Sequence, residues 1–188
     1  WRMNPSSKVV YLTFDDGPIP ECTPQVLEIL SHYGVKASFF MVAENADRYP
    51  YLLQHVREAD HTIGNHTYHH LKGYKTCLTS YLRDIADAHA VLQTHLFRPP
   101  HGRMTYSQKK ALREAGYQIY LWDVLTHDYN PKYTPAKILR IVQHFTRNGS
   151  IIVFHDSLKS KDRMLQALPK VIEWLQAEGY SIQPLPNP

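Results

Sequence analysis

The sequence predicts an α/β fold, a distorted or shortened (β/α) barrel whose active site lies at the C-terminal ends of the strands. Two observations support this prediction. Short apolar runs alternate repeatedly with longer segments of helical periodicity, which is typical of parallel strands joined by helices. Polar residues directly follow several of these runs, as in barrels that build their active sites at strand ends. Because such barrels usually have about 250 residues and this chain has 188, we expect a shortened one.

The first predicted elements are a strand, a helix and a second strand. The apolar run 9–14 ends at an Asp-Asp-Gly-Pro turn, which indicates a buried strand. Thr23 followed by Pro24 is typical of a helix N-cap with proline in the first turn, and Gly34 ends that helix. The short apolar run 37–42 then predicts the next strand.

The later elements are predicted from the same signals of periodicity and chain-breaking residues. Helices are predicted over 50–59, 79–94, 106–115, 135–146 and 165–178. The longest early helix, 79–94, has its apolar face at Leu82, Ile85, Ala86, His89 and Leu92. Further strands are predicted over 62–64, 96–98, 117–124, 150–154 and 180–182.

Composition and charge limit the function classes. Hydrophobic residues make up 43% of the chain and charged residues 20%, without repeats or composition breaks, which favours a single domain over 1–188. The net charge of +4 comes without a Lys/Arg-rich stripe, so no nucleic-acid partner is expected. No apolar run approaches the roughly 20 residues of a transmembrane helix. Cys22 and Cys77 are expected to be free thiols, and a chain that begins at Trp1 is expected to be processed or trimmed.

Two motifs carry candidate metal ligands. Asp15 and Asp16 end a predicted strand, and neighbours on an extended chain point in opposite directions, so one can bind a cation while the other faces a substrate. His66 and His70 are four residues apart, a spacing that on one helical turn places both rings on one face. Two histidines and one carboxylate, with positions left open, are how catalytic metals are held. A closed structural zinc site using Cys77 is the less favoured alternative.

Three further motifs follow predicted strands. Arg98 precedes Pro99, Pro100 and His101, and its planar guanidinium can hold a carboxylate in place. The segment from Trp122 to Tyr129 combines acids, a histidine and aromatic rings, on which sugar rings can pack. His155 ends a buried strand and is a candidate acid or base, and Asp156 is expected to cap the segment after it.

Together and in this order, the five motifs resemble those of the NodB-homology polysaccharide deacetylases, carbohydrate esterase family 4. The family pattern is TFDDG, H-[ST]-x-x-H, R-x-P-[YF], D-x-x-D-W and L-x-H, and it corresponds here to 13–17, 66–70, 98–101, 125–129 and 153–155. The first two motifs are intact. Four positions depart from the pattern and put the substrate preference in question, namely His101, Leu125, Tyr129 and Val153.

The resemblance covers about 9–182 and implies roles for individual residues. It implies one divalent metal, most simply zinc and otherwise cobalt, nickel or manganese, held by Asp16, His66 and His70. The implied catalytic residues are the base Asp15, the acid His155, and their partners Arg98 and Asp128. A backbone N–H near His101 would help to bind the oxyanion. The implied substrate wall comprises Pro99, Pro100, His101, Trp122, Tyr129 and Val153.

Three functions fit these motifs. The first is removal of N-acetyl groups from the amino sugars of a peptidoglycan-like or chitin-like polysaccharide, at an extracytoplasmic or cell-envelope location that the resemblance implies. The second is an O-acetyl esterase on a polysaccharide such as acetylated xylan, for which the acid His155 would matter less because an ester leaves more easily. The third is an inactive carbohydrate-binding protein, which would require a broken metal site, whereas all of its residues are present.

Overall fold

A curled sheet of parallel strands is the centre of the protein in the computed structural model, which describes residues 2–186. Trp1 and 187–188, which the single-domain prediction includes, lie outside the described residues. Within residues 2–186 there are eight strands: β1 (Val9–Asp15), β2 (Ser38–Met41), β3 (Thr62–Asn65), β4 (Leu96–Phe97), β5 (Gln118–Ile119), β6 (Val124–Leu125), β7 (Ile151–His155) and β8 (Ser181–Gln183). Their order is β5-β4-β3-β2-β1-β7-β6, and β8 pairs with the start of β1.

The sheet is a barrel that does not close. Its two edge strands, β5 and β6, are consecutive in the chain and are separated only by 120–123, yet no ladder joins them within the described residues. The predicted distorted barrel is therefore confirmed. The prediction of one strand over 117–124 is wrong, because this segment supplies both edges and the residues that cross between them.

Seven α-helices lie in residues 2–186: α1 (Thr23–His32), α2 (Ala43–Arg48), α3 (Pro50–Glu58), α4 (Leu78–Leu92), α5 (Tyr106–Glu114), α6 (Pro135–Phe145) and α7 (Lys161–Ala177). Helix α2 was not predicted, because only Ala43 and Ala46 of its six residues are buried and the segment shows little hydrophobic periodicity. α7 begins four residues earlier than predicted. The prediction of the buried face of α4 is partly wrong, because Ala86 is exposed and Tyr81 and Ala88 are buried instead.

Alternation along β1 divides the interior into two regions. Val10, Leu12 and Phe14 pack in a cluster that includes helix residues such as Leu30 of α1 and Leu168 of α7. The intervening side chains point to the concave side of the sheet, where Tyr11 packs with residues of β2 and β7. Thr13 and Asp15 continue this concave row, so β1 delivers a carboxylate to the C-terminal mouth of the barrel.

Two other expectations concern the membrane and the cysteines. None of the helices in the described part of the chain is both long enough and apolar enough to cross a bilayer. Cys22 is buried and Cys77 is exposed, and both are free thiols, as expected.

Candidate active site

The three predicted metal ligands converge at the C-terminal mouth of the barrel. One ligand atom from each of Asp16, His66 and His70 lies within 4.8 Å of the other two. The carboxylate Oδ1 of Asp16 is 3.3 Å from His70 Nε2 and 3.7 Å from His66 Nε2. His66 Nδ1 lies 2.8 Å from the carbonyl oxygen of Arg98. If Nδ1 carries the proton and donates it to this carbonyl, Nε2 is left as a lone-pair donor facing the other two ligands.

The electrostatics of these groups suit a divalent cation. Burial lowers the pKa of His66 to about 4, which keeps the ring neutral, the state that a metal ligand requires. Burial raises the pKa of Asp16, but the hydrogen bond of His70 and the charges of nearby histidines outweigh it and hold this pKa well below its usual range. Two imidazoles and one carboxylate at the edge of an open cavity fit a catalytic metal site.

The histidines are not brought together by a helical turn, so that part of the prediction is wrong. After β3 the chain forms an irregular turn in which Thr67 has φ 68° and His70 has φ 55°, both in the left-handed region. The two rings still face each other, with centroids 5.1 Å apart. The spacing of four residues therefore predicted the right pair of histidines, although an irregular turn and not a helical one brings them together.

Side chains of α4 and β3 replace the helical hydrogen bonds in this turn. The carboxylate of Asp84, buried on α4, accepts from the backbone N–H groups of Tyr68 at 2.8 Å and His69 at 3.2 Å. Asn65 accepts from the N–H of Thr67 at 2.8 Å. The ring of His69 lies against Asp84 and is not one of the three clustered candidate ligands.

Asp15 contacts Arg98, whereas its neighbour Asp16 faces the two histidines. Its carboxylate, which is 2% exposed, accepts from Nη1 of Arg98 at 2.6 Å, and the same Nη1 donates to Thr13 Oγ1 at 2.8 Å. Arg98 is fully buried and lies over the ring of Phe40 at 4.1 Å. Its other nitrogens donate to the carbonyl groups of 120 and 121, in the segment that crosses the open edge of the barrel.

Asp128 holds His155 at two points. Oδ1 of the fully buried Asp128 lies 2.8 Å from His155 Nδ1, and Oδ2 accepts from the backbone N–H of His155 at 2.7 Å. Burial lowers the pKa of His155, but the hydrogen bond and charge of Asp128, with smaller contributions from Asp16 and Asp15, raise it to about 9. The imidazole is thus protonated at neutral pH and has a fixed orientation.

A cavity of about 370 Å³ joins these groups. Eight of the residues predicted for the site line it: Asp15, Asp16, His66, His70, His101, Trp122, Tyr129 and His155. Three lining residues were not predicted to contact substrate, namely Leu125, Ser157 and Lys159. Ser157 and Lys159 follow β7 closely, and the general position of active sites after barrel strands could have identified them.

Aromatic and imidazole rings form the walls of this cavity. The ring of Tyr129 meets that of His155 edge-on, with centroids 4.8 Å apart. His101 has φ 60° and places its ring 5.1 Å from that of His70. The turn around His101 is closed by two backbone hydrogen bonds, from the N–H of 102 to the carbonyl oxygen of 99 and from the N–H of 103 to that of 100. The backbone N–H of His101 donates neither of them. Trp122 packs so closely on Gly102 that a Cβ there would lie 2.5 Å from the indole.

Three predicted wall residues do not line the cavity. Pro99 and Pro100 are buried beside it. Val153 lies two residues before His155 on β7, so it points to the same side of the sheet one step deeper, and it is fully buried. Its neighbour across the ladder, Leu125, lines the cavity instead. Contact of these three residues with substrate stays a prediction.

Asp156 does not cap the following segment. Its side chain is fully buried, and Oδ2 accepts from the hydroxyl of Thr23 at 2.6 Å, while Oδ1 has no hydrogen-bond partner within residues 2–186. Burial raises the pKa of this carboxyl group to about 6. The prediction of Thr23 as a helix cap is also wrong, because Thr23 is the first residue of α1. Its hydroxyl donates to Asp156 and accepts from the backbone N–H of Ile19 at 2.6 Å.

Comparisons with known proteins agree with this arrangement. Residues 2–120 match the family model described as polysaccharide deacetylase. The chain is 35% identical to a peptidoglycan-N-acetylglucosamine deacetylase of Bacillus cereus, over 96% of this chain and 87% of that protein. It is 30% identical to a chitooligosaccharide deacetylase of Azorhizobium caulinodans, over 98% of this chain and 96% of that protein.

A solved structure gives the same result. The crystal structure of the Bc1960 peptidoglycan N-acetylglucosamine deacetylase matches with a TM-score of 0.96 at 30% identity, covering 99% of this chain and 90% of that one. The family model matches residues 2–120, and the relatives and the solved structure cover nearly all of the chain. The chain therefore belongs to the NodB-homology polysaccharide deacetylases, carbohydrate esterase family 4.

Proposed function

We propose that this protein is a metal-dependent hydrolase that removes N-acetyl groups from the amino sugars of a peptidoglycan-like or chitin-like polysaccharide. The observation that carries the proposal is that one cavity presents three separate units: the cluster of three metal ligands, the carboxylate Asp15 and the protonated His155. Membership of a deacetylase family supports it. Because such glycans lie mostly outside the cytoplasm, we place its action at the cell envelope.

The cation site is assigned to Asp16, His66 and His70, which would hold one divalent metal, most simply zinc. Such an ion supplies positive charge that polarises the acetyl carbonyl group. The protein contributes the orientation of the ligands. The carbonyl group of Arg98 orients His66, and Asp84 shapes the turn that carries His70.

Asp15 is the proposed general base. Arg98 engages its Oδ1, which leaves Oδ2 to accept a proton from the attacking water. The buried contact with Arg98 holds this carboxylate in one orientation, and it gives the carboxylate a partner of opposite charge at a depth where an unpaired charge would be strongly unfavourable. A carboxylate with this position and charge can remove the proton as the carbon–oxygen bond forms.

His155 is the proposed general acid. An amine is a poor leaving group, so breaking the carbon–nitrogen bond requires that the nitrogen receive a proton. Since Nδ1 is held by Asp128, the Nε2 proton of the imidazolium is the one available for transfer. A protonated His155 held by Asp128 supports the amide substrate of this proposal, because an amine needs a proton to leave and the alcohol of an ester depends on it less.

Acetate release tests the proposal. We would incubate the protein with chito-oligosaccharide, peptidoglycan and acetylated xylan, each with chelator and then with zinc or cobalt restored. Asp15→Asn should lower the rate by about 10²–10⁴, whereas Asp87→Asn, on the exposed face of α4, should leave it unchanged. Metal-dependent release from an N-acetylated glycan is expected. Release from xylan alone would indicate an O-acetyl esterase, and glycan binding without any release would indicate a binding protein.

A further inference from the structure

The loop between β7 and α7 places a lysine at the mouth of the cavity. Lys159 is an exposed residue, yet it lines the same cavity as His155 and the metal ligands. It follows His155 by four residues. None of the catalytic roles described above uses it.

The charges around the cavity are otherwise matched in pairs. Asp15 is paired with Arg98 at 2.6 Å, and Asp128 with His155 at 2.8 Å. The third carboxylate, that of Asp16, faces the two histidines of the metal site. Within residues 2–186, the ammonium group of Lys159 has no carboxylate within ion-pair distance. The mouth of the cavity therefore carries an ammonium group that no carboxylate of the described residues neutralises.

The backbone of this lysine is tied to the catalytic pair. Arg163 on α7 donates from Nη2 to the carbonyl oxygen of Lys159 and from Nε to the carbonyl oxygen of Asp128 at 2.7 Å. Ser160 donates to the carbonyl oxygen of His155. The position of Lys159 relative to the reacting groups is thus built into the fold, and only its side chain has to be ordered on binding.

We propose that Lys159 binds an anionic substituent, a carboxylate, on a sugar next to the one that is deacetylated. The inference rests on the proposed function. A neutral oligosaccharide would partly desolvate the ammonium group and offer no charge in return, whereas a carboxylate would form a charge-assisted hydrogen bond with it. The enzyme would therefore prefer a glycan in which N-acetylglucosamine alternates with a carboxylate-bearing sugar over a neutral chitin-like chain.

The contact lies away from the bond that breaks, and this determines its kinetic signature. An interaction that is equally strong in the ground state and the transition state changes KM and leaves kcat nearly unchanged. We expect Lys159→Ala to raise KM for the carboxylated glycan by about 3- to 10-fold. Lys159→Glu should raise this KM further. Lys159→Arg keeps the positive charge and should leave KM close to the wild-type value.

The experiment compares three oligosaccharides of equal length. One alternates N-acetylglucosamine with N-acetylmuramic acid, the second is the same compound with its carboxylates reduced to alcohols, and the third is an N-acetylglucosamine oligomer. kcat and KM are measured for the wild type and the Lys159 variants at low and high salt. Lys170→Glu is the matched control, since Lys170 is an exposed lysine of α7 outside the cavity.

Selective loss on the carboxylated glycan, weakened by salt, would support the role of Lys159. Equal changes of KM on the carboxylated and reduced glycans, or no change, would overturn it. If the wild type releases no acetate from any substrate, the proposed function fails, and Kd values from calorimetry then test Lys159 on their own. In that case, tighter binding of the carboxylated than the reduced compound, lost in Lys159→Glu, would still support the inference, and equal binding would exclude it.

Discussion

At the scale of single residues, Asp128 determines what His155 can do. One carboxylate contacts both the backbone N–H and the ring of the same residue, so the imidazole cannot rotate without losing a buried hydrogen bond. The same carboxylate raises the pKa of the ring against the effect of burial. Orientation and protonation of the proposed acid thus have one source.

Replacing Asp128 by Asn tests this point through the pH dependence of the rate. The folded-state pKa of His155 is raised to about 9, so the acid is protonated below that pH and lost as the pH rises through it. In Asp128→Asn the lowering effect of burial remains without the opposing charge. We expect the alkaline limb of kcat to move to lower pH, with a loss of about 10²–10⁴ in kcat at neutral pH. An alkaline limb that stays in place would show that another group sets it.

At the scale of elements, two loops are joined beneath the site. Asp156, after β7, accepts from Thr23 at the start of α1, and its backbone N–H donates to the carbonyl oxygen of Asp15. Gly17 lies against this carboxylate, and a Cβ there would be 2.2 Å from Oδ2. The loop that carries the proposed metal ligand Asp16 therefore rests on a buried acid from a different part of the chain.

Gly17→Ala should destabilise the protein by about 1–3 kcal/mol, because the new methyl group overlaps the Asp156 carboxylate. Asp156→Ala should also destabilise it, since Thr23 loses its acceptor. Urea unfolding of both single variants and the double variant gives their coupling. The added cost of Gly17→Ala should be smaller when Asp156 is already Ala. Strictly additive costs would contradict a direct overlap.

At this scale, the sequence was sufficient to predict functional residues that stand at the end of a recognisable strand. Asp15, Asp16 and His155 were identified because each follows or ends an apolar strand. The role of Asp84 was missed because a polar residue within a helix pattern carries no sign of the turn it will hold. The irregular turn at 66–70 was mistaken for a helical one because both can bring residues four apart into contact.

At the scale of the whole molecule, Arg98 joins strand β1 to the segment that crosses the open edge of the barrel. From one buried position it reaches Asp15 on the central strand and the carbonyl groups of Tyr120 and Leu121 in the crossing segment. The strand predicted over 117–124 could not be divided correctly from sequence, because the division depends on these distant contacts. The same side chain thus positions the proposed base Asp15 and satisfies backbone carbonyl groups where the ladder is absent.

Arg98→Lys should loosen this edge, because a lysine cannot reproduce the geometry of several guanidinium donors. We expect a lower Tm and faster amide hydrogen exchange over 118–125 than in the wild type. Arg113→Lys, on the exposed side of α5, is the control. Asp15→Asn keeps the arginine and should leave exchange in this segment slow. Unchanged exchange in Arg98→Lys would limit the role of Arg98 to holding Asp15.

The left-handed residues of the site have a consequence for heat resistance. Asp16, Thr67, His70 and His101 all have φ between 55° and 82°, and each costs about 1–2 kcal/mol relative to an ordinary conformation. Glycine would remove that cost, but at Asp16, His70 and His101 it would also remove a side chain that lines the cavity. Selection for heat resistance that preserves activity is therefore expected to change the outer helices before Asp16, His70 and His101.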